Sequence, residues 1–334
     1  MRLALCVSHC RTAVPTHTTV HLLVSALARG AQVRVIEAGD FEVDERGHVT
    51  ARAYVLDGVP PNGDDVARVL ATGGAARRTI DAERLDALVL RVNPIDTSVV
   101  AMAQLLASRG VLVLNSPFAM LRTTHKSWLA TLPVDVPRPR TIVTRSHSTA
   151  WTFASRERDG VVVKPARSCG GRGVSLLRGR DEAEFEHRFR EAGQAGDGLV
   201  VVQGYLPEAD QGEKRLLWLD ATLVGGYLRR RAPGEFRHNL KLGAEPAPCE
   251  VSPNEHAAVA LLSPHLAREG VWFAGIDMIG ERIIEVNVLN PGGAHFTTMF
   301  AGLPVGDLLY ESLAARVGGA PSKSAFLRQA PQGH

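Results

Sequence analysis

No stretch of this 334-residue chain is apolar for long enough to span a bilayer, and its charge is nowhere concentrated. Lys and Arg (38) nearly balance Asp and Glu (35), leaving +3 without a dense basic run. The first absence excludes a membrane partner, and the second argues against nucleic acid. The start, Met1-Arg2-Leu3-Ala4-Leu5-Cys6, leads straight into a strand-like pattern, so no cleavable signal is expected. Cysteine is scarce. Residues 6, 10, 169 and 249 have no disulfide-framework spacing, which makes a reducing cytoplasm the expected location. Cys6, His9 and Cys10 lack the spacing of a zinc signature. Also missing are an internal repeat and a Ser-His-Asp grammar. After the first strand, Ser8-His9-Cys10-Arg11 is not a dinucleotide loop, so an NAD enzyme is disfavoured.

What is present is the composition of an ordinary globular protein, long enough for two or three packed units. Residues 3–8, 18–29 and 32–37 read as strand, helix and strand, and residues 87–92, 97–109 and 111–114 repeat the pattern. A parallel sheet flanked by helices is therefore expected over 1–120, with a hairpin excursion at 41–57. A helix around 124–131 and a Pro-rich linker follow. Next come strands at 140–143, 161–164, 174–177 and 199–203, with a charged helix at 181–192. The organisation expected is 1–120, 121–203 and 204–317, with a polar, poorly ordered tail from 318 to 334.

Chemistry concentrates in a few places. Residues 273–279 and 282–288 read as an apolar hairpin turning at Gly280 and Glu281. Asp277, Glu285 and Asn287 share one of its faces, where hard oxygen donors suit Mg²⁺ together with phosphate oxygens. The alternative is a hairpin with solvated acids, although Asp and Glu are poor strand formers. Gly170, Gly171 and Gly173 lie between two strands rather than before a helix, so they are not a P-loop. They read as a hairpin flap over phosphates or as a plain tight turn, with Cys169 a small neutral filler. Lys164, in the strand before that turn, is a buried cation in want of an anion. Gln203, Tyr205 and Leu206 either offer an edge to adenine or mark a strand exit. Glu213 and Arg215 open the next strand, and Arg237, His238, Asn239 and Lys241 form a substrate loop or an exposed run.

Taken in order, these segments resemble the ATP-grasp superfamily, specifically its bacterial glutathione synthetase branch, over nearly the whole chain. The resemblance also rests on Arg91-Val92-Asn93-Pro94-Ile95-Asp96 and on Leu114-Asn115-Ser116-Pro117 followed by Lys126. It implies an α/β fold with an N-terminal parallel α/β domain, an α+β lid and a catalytic subdomain, with ATP between the last two. Lys126 and Lys164 then look like nucleotide-phosphate lysines, and Gln203, Tyr205 and Leu206 like the adenine pocket. Glu213 stands for the ribose residue, usually Asp in the family. Asp277, Glu285 and Asn287 would hold two Mg²⁺ ions, with Mn²⁺ the alternative. Arg215 would steady the transferred phosphoryl group, Arg237 and Asn239 would close near the reacting carboxylate, and the helix start at His17 would touch substrate carboxylates. The implied reaction is ATP-dependent joining of a small-molecule acid, of γ-glutamyl peptide type, to glycine or a similar amine in a homo-oligomer. Two departures stand out. Val288-Leu289-Asn290-Pro291-Gly292-Gly293 is closer to amino-acid and dipeptide ligases, and His17 stands where the family tends to have an acid. The rival readings are another peptide or amino-acid ligase and a non-catalytic nucleotide-binding protein.

Overall fold

In the computed structural model, residues 1–167 and 171–319 are described. Its first strand shows how the layers arise. β1 (Arg2–Val7) is apolar from Leu3 onward because it lies between two parallel neighbours and is covered on both faces. Leu3 and Leu5 turn into a core with α1 (Thr18–Ala28), while Ala4 and Cys6 turn to the opposite core. The chain continues through β2 (Gln32–Val43), β3 (Val49–Val55), α2 (Gly63–Thr72), β4 (Arg77–Asp81), β5 (Ala87–Arg91), α3 (Thr97–Ser108) and β6 (Leu112–Leu114). These strands form one sheet in the order β4-β3-β2-β1-β5-β6. The expected parallel core is β2, β1, β5 and β6; β3 and β4 extend it antiparallel. β2 runs on to Val43 instead of ending at residue 37, with a register shift between Ile36 and Phe41, so the hairpin is part of this sheet.

The single helix expected around 124–131 is instead two, α4 (Pro117–Thr124) and α5 (Ser127–Ala130). His125 has extended backbone and breaks the helix, and the Lys126 N–H donates to the Ala166 carbonyl at 3.0 Å. The break therefore pins Lys126 against the next sheet. That sheet is built from β7 (Thr141–Thr144), α6 (His147–Ala154), β8 (Val161–Pro165), β9 (Ser175–Leu177), α7 (Glu182–Gln194) and β10 (Val200–Gly204). Its strands run antiparallel in the order β7-β10-β8-β9, and Ala150, Phe185 and Phe189 pack the helices onto one face.

The last layer comprises β11 (Glu213–Leu219), β12 (Thr222–Arg230), β13 (Glu245–Ala247), α8 (Pro253–Glu269), β14 (Phe273–Ile279), β15 (Arg282–Asn287), α9 (Ala294–Ala301) and α10 (Val305–Val317). The sheet is antiparallel, β13-β12-β11-β14-β15. β11 alternates. Leu216 and Trp218 meet Leu262 and Leu266 of α8, whereas Leu217 and Leu219 join Leu3 and Leu5 in the first core. One apolar core thus ties the C-terminal sheet to the N-terminal one. The expected tail beyond Gly319 lies outside the described residues.

Candidate active site

The parity that sends Leu217 and Leu219 into the core sends Glu213 and Arg215 onto the same face of β11, further along the strand. Arg215 lies opposite Asp277 on β14 and Tyr227 on β12. Asp277 in turn lies opposite Glu285, and Gly275 opposite Asn287; a register shift follows Asp277. Gly275 leaves the room this arrangement needs, since a Cβ there would sit 3.1 Å from Arg215 Cδ. Arg215 Nε and Nη2 donate to the two oxygens of Asp277 at 2.5 and 2.9 Å. Arg229 Nη2 approaches Asp277 Oδ1 at 2.7 Å and also binds Glu213. Asn287 Nδ2 donates to Asp277 Oδ2 at 3.0 Å, and Lys126 Nζ lies 3.4 Å from Glu285. Burial alone would raise the Asp277 pKa, but Arg215 and Arg229 outweigh it and hold the carboxyl well below the usual range.

The facing wall comes from the middle sheet. Lys164 on β8 is buried, with Nζ donating to Gln203 Oε1 at 3.0 Å; Gln203 Nε2 donates to Thr141 Oγ1. Burial pulls the Lys164 pKa down to about 8, against the pull of Glu285. Tyr205 and Leu206 follow β10, and the Tyr205 ring lies 5.0 Å from the Arg178 guanidinium. Arg237 joins this wall to the loop after β12. Its Nη1 donates to the Gly171 carbonyl at 3.0 Å, while Glu235 accepts from Nε and Nη2 at 3.0 and 2.7 Å. Asn239 accepts from the Lys241 N–H at 3.0 Å.

These groups surround one cleft of about 940 Å³, within the size range of small-molecule sites. It is lined by Lys126, Lys164, Gly171, Gln203, Tyr205, Leu206, Glu213, Arg215, Arg237, Asn239, Asp277, Glu285 and Asn287. Gly173 does not line it. A Cβ there would lie 2.9 Å from Pro165 Cγ and 3.1 Å from Ala195 Cβ, so this glycine, with φ of +68°, serves packing. Gly170, with Ser168 and Cys169, lies outside the described residues. The cleft is also lined by residues 16–19, Arg91 and residues 290–293. There Arg91 Nε donates to Thr19 Oγ1 at 3.2 Å and Nη2 to the Pro291 carbonyl at 2.9 Å.

Two family models cover the chain. Residues 1–122 match the N-terminal domain of prokaryotic glutathione synthetase, and residues 128–299 match its ATP-grasp domain. The chain belongs to the prokaryotic glutathione synthetase family of ATP-grasp proteins. The glutathione synthetase of Agrobacterium fabrum is 30% identical over 70% of this chain and 73% of its own length. That of Synechococcus elongatus is 29% identical over 95% of this chain and 99% of its own. A crystal structure of a D-cycloserine synthetase shares the fold at 17% identity, with a TM-score of 0.64 over 93% of this chain and 99% of that one. As an ATP-grasp ligase the chain forms carbon–nitrogen bonds.

Sequence reasoning missed one residue of this site, Arg229, and left a second, His238, between a substrate loop and an exposed run. Arg229 stands in sequence beside Arg230 and Arg231, and strand parity with Tyr227 is the signal that turns it inward. His238 is buried, with Nε2 2.9 Å from the Ala209 carbonyl and Nδ1 3.6 Å from Glu213. Glu213, expected at the ribose, is therefore held between Arg229 and His238. Among the described residues, no helix is long and apolar enough to cross a membrane.

Proposed function

We propose that this ligase activates a carboxylate with ATP and joins it to an amine through an acyl phosphate. The carboxylate oxygen attacks the γ-phosphorus and ADP leaves. The amine nitrogen then attacks the carbonyl carbon, phosphate leaves, and the amine gives up a proton as the amide forms. The observation that carries this reading is that Asp277, Glu285 and Asn287 line one cleft together with Lys126 and Lys164. Such a site meets the demand of phosphoryl transfer, which is positioning and charge neutralisation rather than covalent chemistry by the protein.

Among the described residues, no three or more His, Cys, Asp and Glu side chains form a metal-holding group. A metal here relies on two carboxylates and the amide oxygen of Asn287, whose Nδ2 is already committed to Asp277. That donor set fits Mg²⁺, or Mn²⁺, which takes few carboxylates and completes its shell with phosphate oxygens. When bound, the ion neutralises phosphate charge and acts as Lewis acid. Lys126 and Lys164 attract the phosphates, and Gln203, Tyr205 and Leu206 border the adenine. Glu213 lies toward the ribose, and the turn at Gly171 closes with Arg237 and Asn239 to exclude water. Arg215 supplies fixed positive charge beside the reacting groups. The reading keeps the division at 1–120, 121–203 and 204–317, a cytoplasmic homo-oligomer and small-molecule substrates.

Resemblance to glutathione synthetases supports a γ-glutamyl dipeptide and glycine as the pair. A second reading, a different acid and amine, is favoured by residues 290–293. Their Pro291 and Gly292 carbonyls are held by Arg91 and Arg215, in a segment that departs from the branch pattern. A screen of acid and amine pairs, read by phosphate release and product mass, tests the ligase reading and chooses the pair. ATP hydrolysis indifferent to every pair would instead support a nucleotide-binding protein without ligation.

A further inference from the structure

The part of the cleft lined by residues 16–19, Arg91 and residues 290–293 has a charge pattern that the nucleotide does not explain. Arg91 is 5% exposed, and its guanidinium donates to Thr19 Oγ1 and the Pro291 carbonyl and lies 5.8 Å from the Phe273 ring, with no acid paired to it among the described residues. A buried guanidinium facing a cleft without a counterion calls for an anion from the ligand. Beside it is the first turn of α1, an 11-residue helix whose N-cap, His17, makes no side-chain capping bond. Its first N–H groups therefore add partial positive charge at the same place. Lys241 lines the cleft too, and His17 has its pKa lowered by burial, then by Arg91 and Lys241, which keeps the imidazole neutral.

Acids are missing from this part. The cleft-lining acids are Asp197, Glu213, Asp277 and Glu285, and each already faces a basic side chain: His125, Arg229, Arg215 and Lys126. None falls within residues 16–19, 91–95 or 290–296 of the lining. Residues 168–170 and 320–334 contain no Asp or Glu, so none of them supplies one. An ammonium here would meet Arg91 and Lys241 with no carboxylate to neutralise it.

We propose that Arg91 and the first turn of α1 form a subsite for a carboxylate other than the one activated, on a substrate portion that carries no ammonium. The inference rests on the ligase reading and narrows its substrate class. The carboxylate comes either from a diacid or N-acylated amino diacid, or from an amino-acid acceptor whose amine lies at the reacting centre.

Calorimetric titration of the full chain saturated with ADP and Mg²⁺ tests this with matched probes. Glutarate against butyrate, and N-acetyl-L-glutamate against L-glutamate, report an acid-borne carboxylate; glycine against glycinamide reports an acceptor-borne one. The carboxylate-bearing, ammonium-free member of the acid pairs, or glycine in the last pair, is expected to bind at least about tenfold tighter. Arg91→Met should erase that preference and Arg91→Lys keep part of it, both with unchanged ADP affinity. His17→Asp, which adds the missing acid, should turn the second pair toward L-glutamate. Absence of binding by every probe, or equal preferences in the parent and Arg91→Met, overturns the subsite. Arg91-dependent binding without ADP release on adding any amine would retain the subsite and defeat the ligase reading, so the two failures are distinguishable.

Discussion

Two parts of the cleft, the acids around Asp277 and the surroundings of Arg91, follow opposite electrostatic rules. In the first part every acid is matched: Asp277 by Arg215 and Arg229, Glu213 by Arg229, Glu285 by Lys126. Around Arg91, by contrast, no acid is paired with the guanidinium among the described residues. Matched charges stay oriented before any ligand arrives, which suits a reaction that needs preorganised positive and negative groups. An unmatched buried cation is satisfied only by what binds, which suits selection among substrates. On the proposed reading, the reaction and its specificity are thus built by different residues.

The largest expected effect comes from breaking the matched part at its centre. Asp277→Asn leaves two buried guanidiniums around a neutral amide, and loss of one partner from such a cluster costs about 3–5 kcal/mol. Denaturant unfolding should show that loss, and ligation should disappear with it. Stability equal to the parent would mean that the cluster is not held by this charge. Asp277→Asn therefore changes fold and chemistry together.

Glu285→Gln separates them. The Glu285 side chain is 33% exposed and pairs with Lys126, so its neutralisation should shift stability by no more than about 1 kcal/mol. Removal of an anionic metal ligand should nevertheless lower kcat by at least about a hundredfold, with the variant's unfolding curve near the parent's. Full activity would remove Glu285 from the metal set.

The contrast between the two parts also marks what the sequence made legible. The β14–β15 hairpin announces itself, because apolar strands that tolerate acids at fixed parity have few other reasons to exist. Arg229 does not, since its partners arrive from β11 and β14, 16 and 48 positions away in sequence. α2 was overlooked although Asn62 caps it, Asp64 and Asp65 begin it and Gly73 ends it; those polar residues also spell a loop. The helix expected around 124–131 fails at His125, where the chain turns to bring Lys126 to Ala166, a tertiary demand invisible to local periodicity. Gly173 reads as a phosphate glycine from spacing alone, yet Pro165 and Ala195 claim its space.

A smaller effect concerns Lys164, whose pKa burial lowers from an ordinary 10.5 to about 8. A bound phosphate stabilises the charged form and so raises that value again. Free protein therefore takes up a proton on binding ADP near pH 8, and affinity should fall by up to about tenfold per pH unit above it. Stability of the free protein responds with the opposite sign. Between pH 8 and 10.5 the unfolded chain holds the lysine proton while the folded chain has released it, so this group makes the fold more stable as pH rises. Calorimetry in buffers of different ionisation enthalpy reads the uptake; no uptake at pH 8 would remove Lys164 from the phosphate contacts.

The smallest effect probes the join between the walls. Glu235 grips Arg237 through two nitrogens, and its carboxyl pKa is held down to about 2, chiefly by that hydrogen bonding. Arg237 spends its remaining nitrogen on the Gly171 carbonyl, so Glu235 orients the latch without touching the turn itself. The pair is partly exposed, with 30% of the Arg237 and 21% of the Glu235 side chain accessible, which limits its worth to about 0.2–1 kcal/mol. Glu235→Gln should weaken ADP binding by no more than about fivefold at neutral pH. Arg237→Ala, which removes the latch entirely, should weaken it more. If both variants bound ADP like the parent but differed from it in kcat, Arg237 would act on the reacting carboxylate and not through the Gly171 turn.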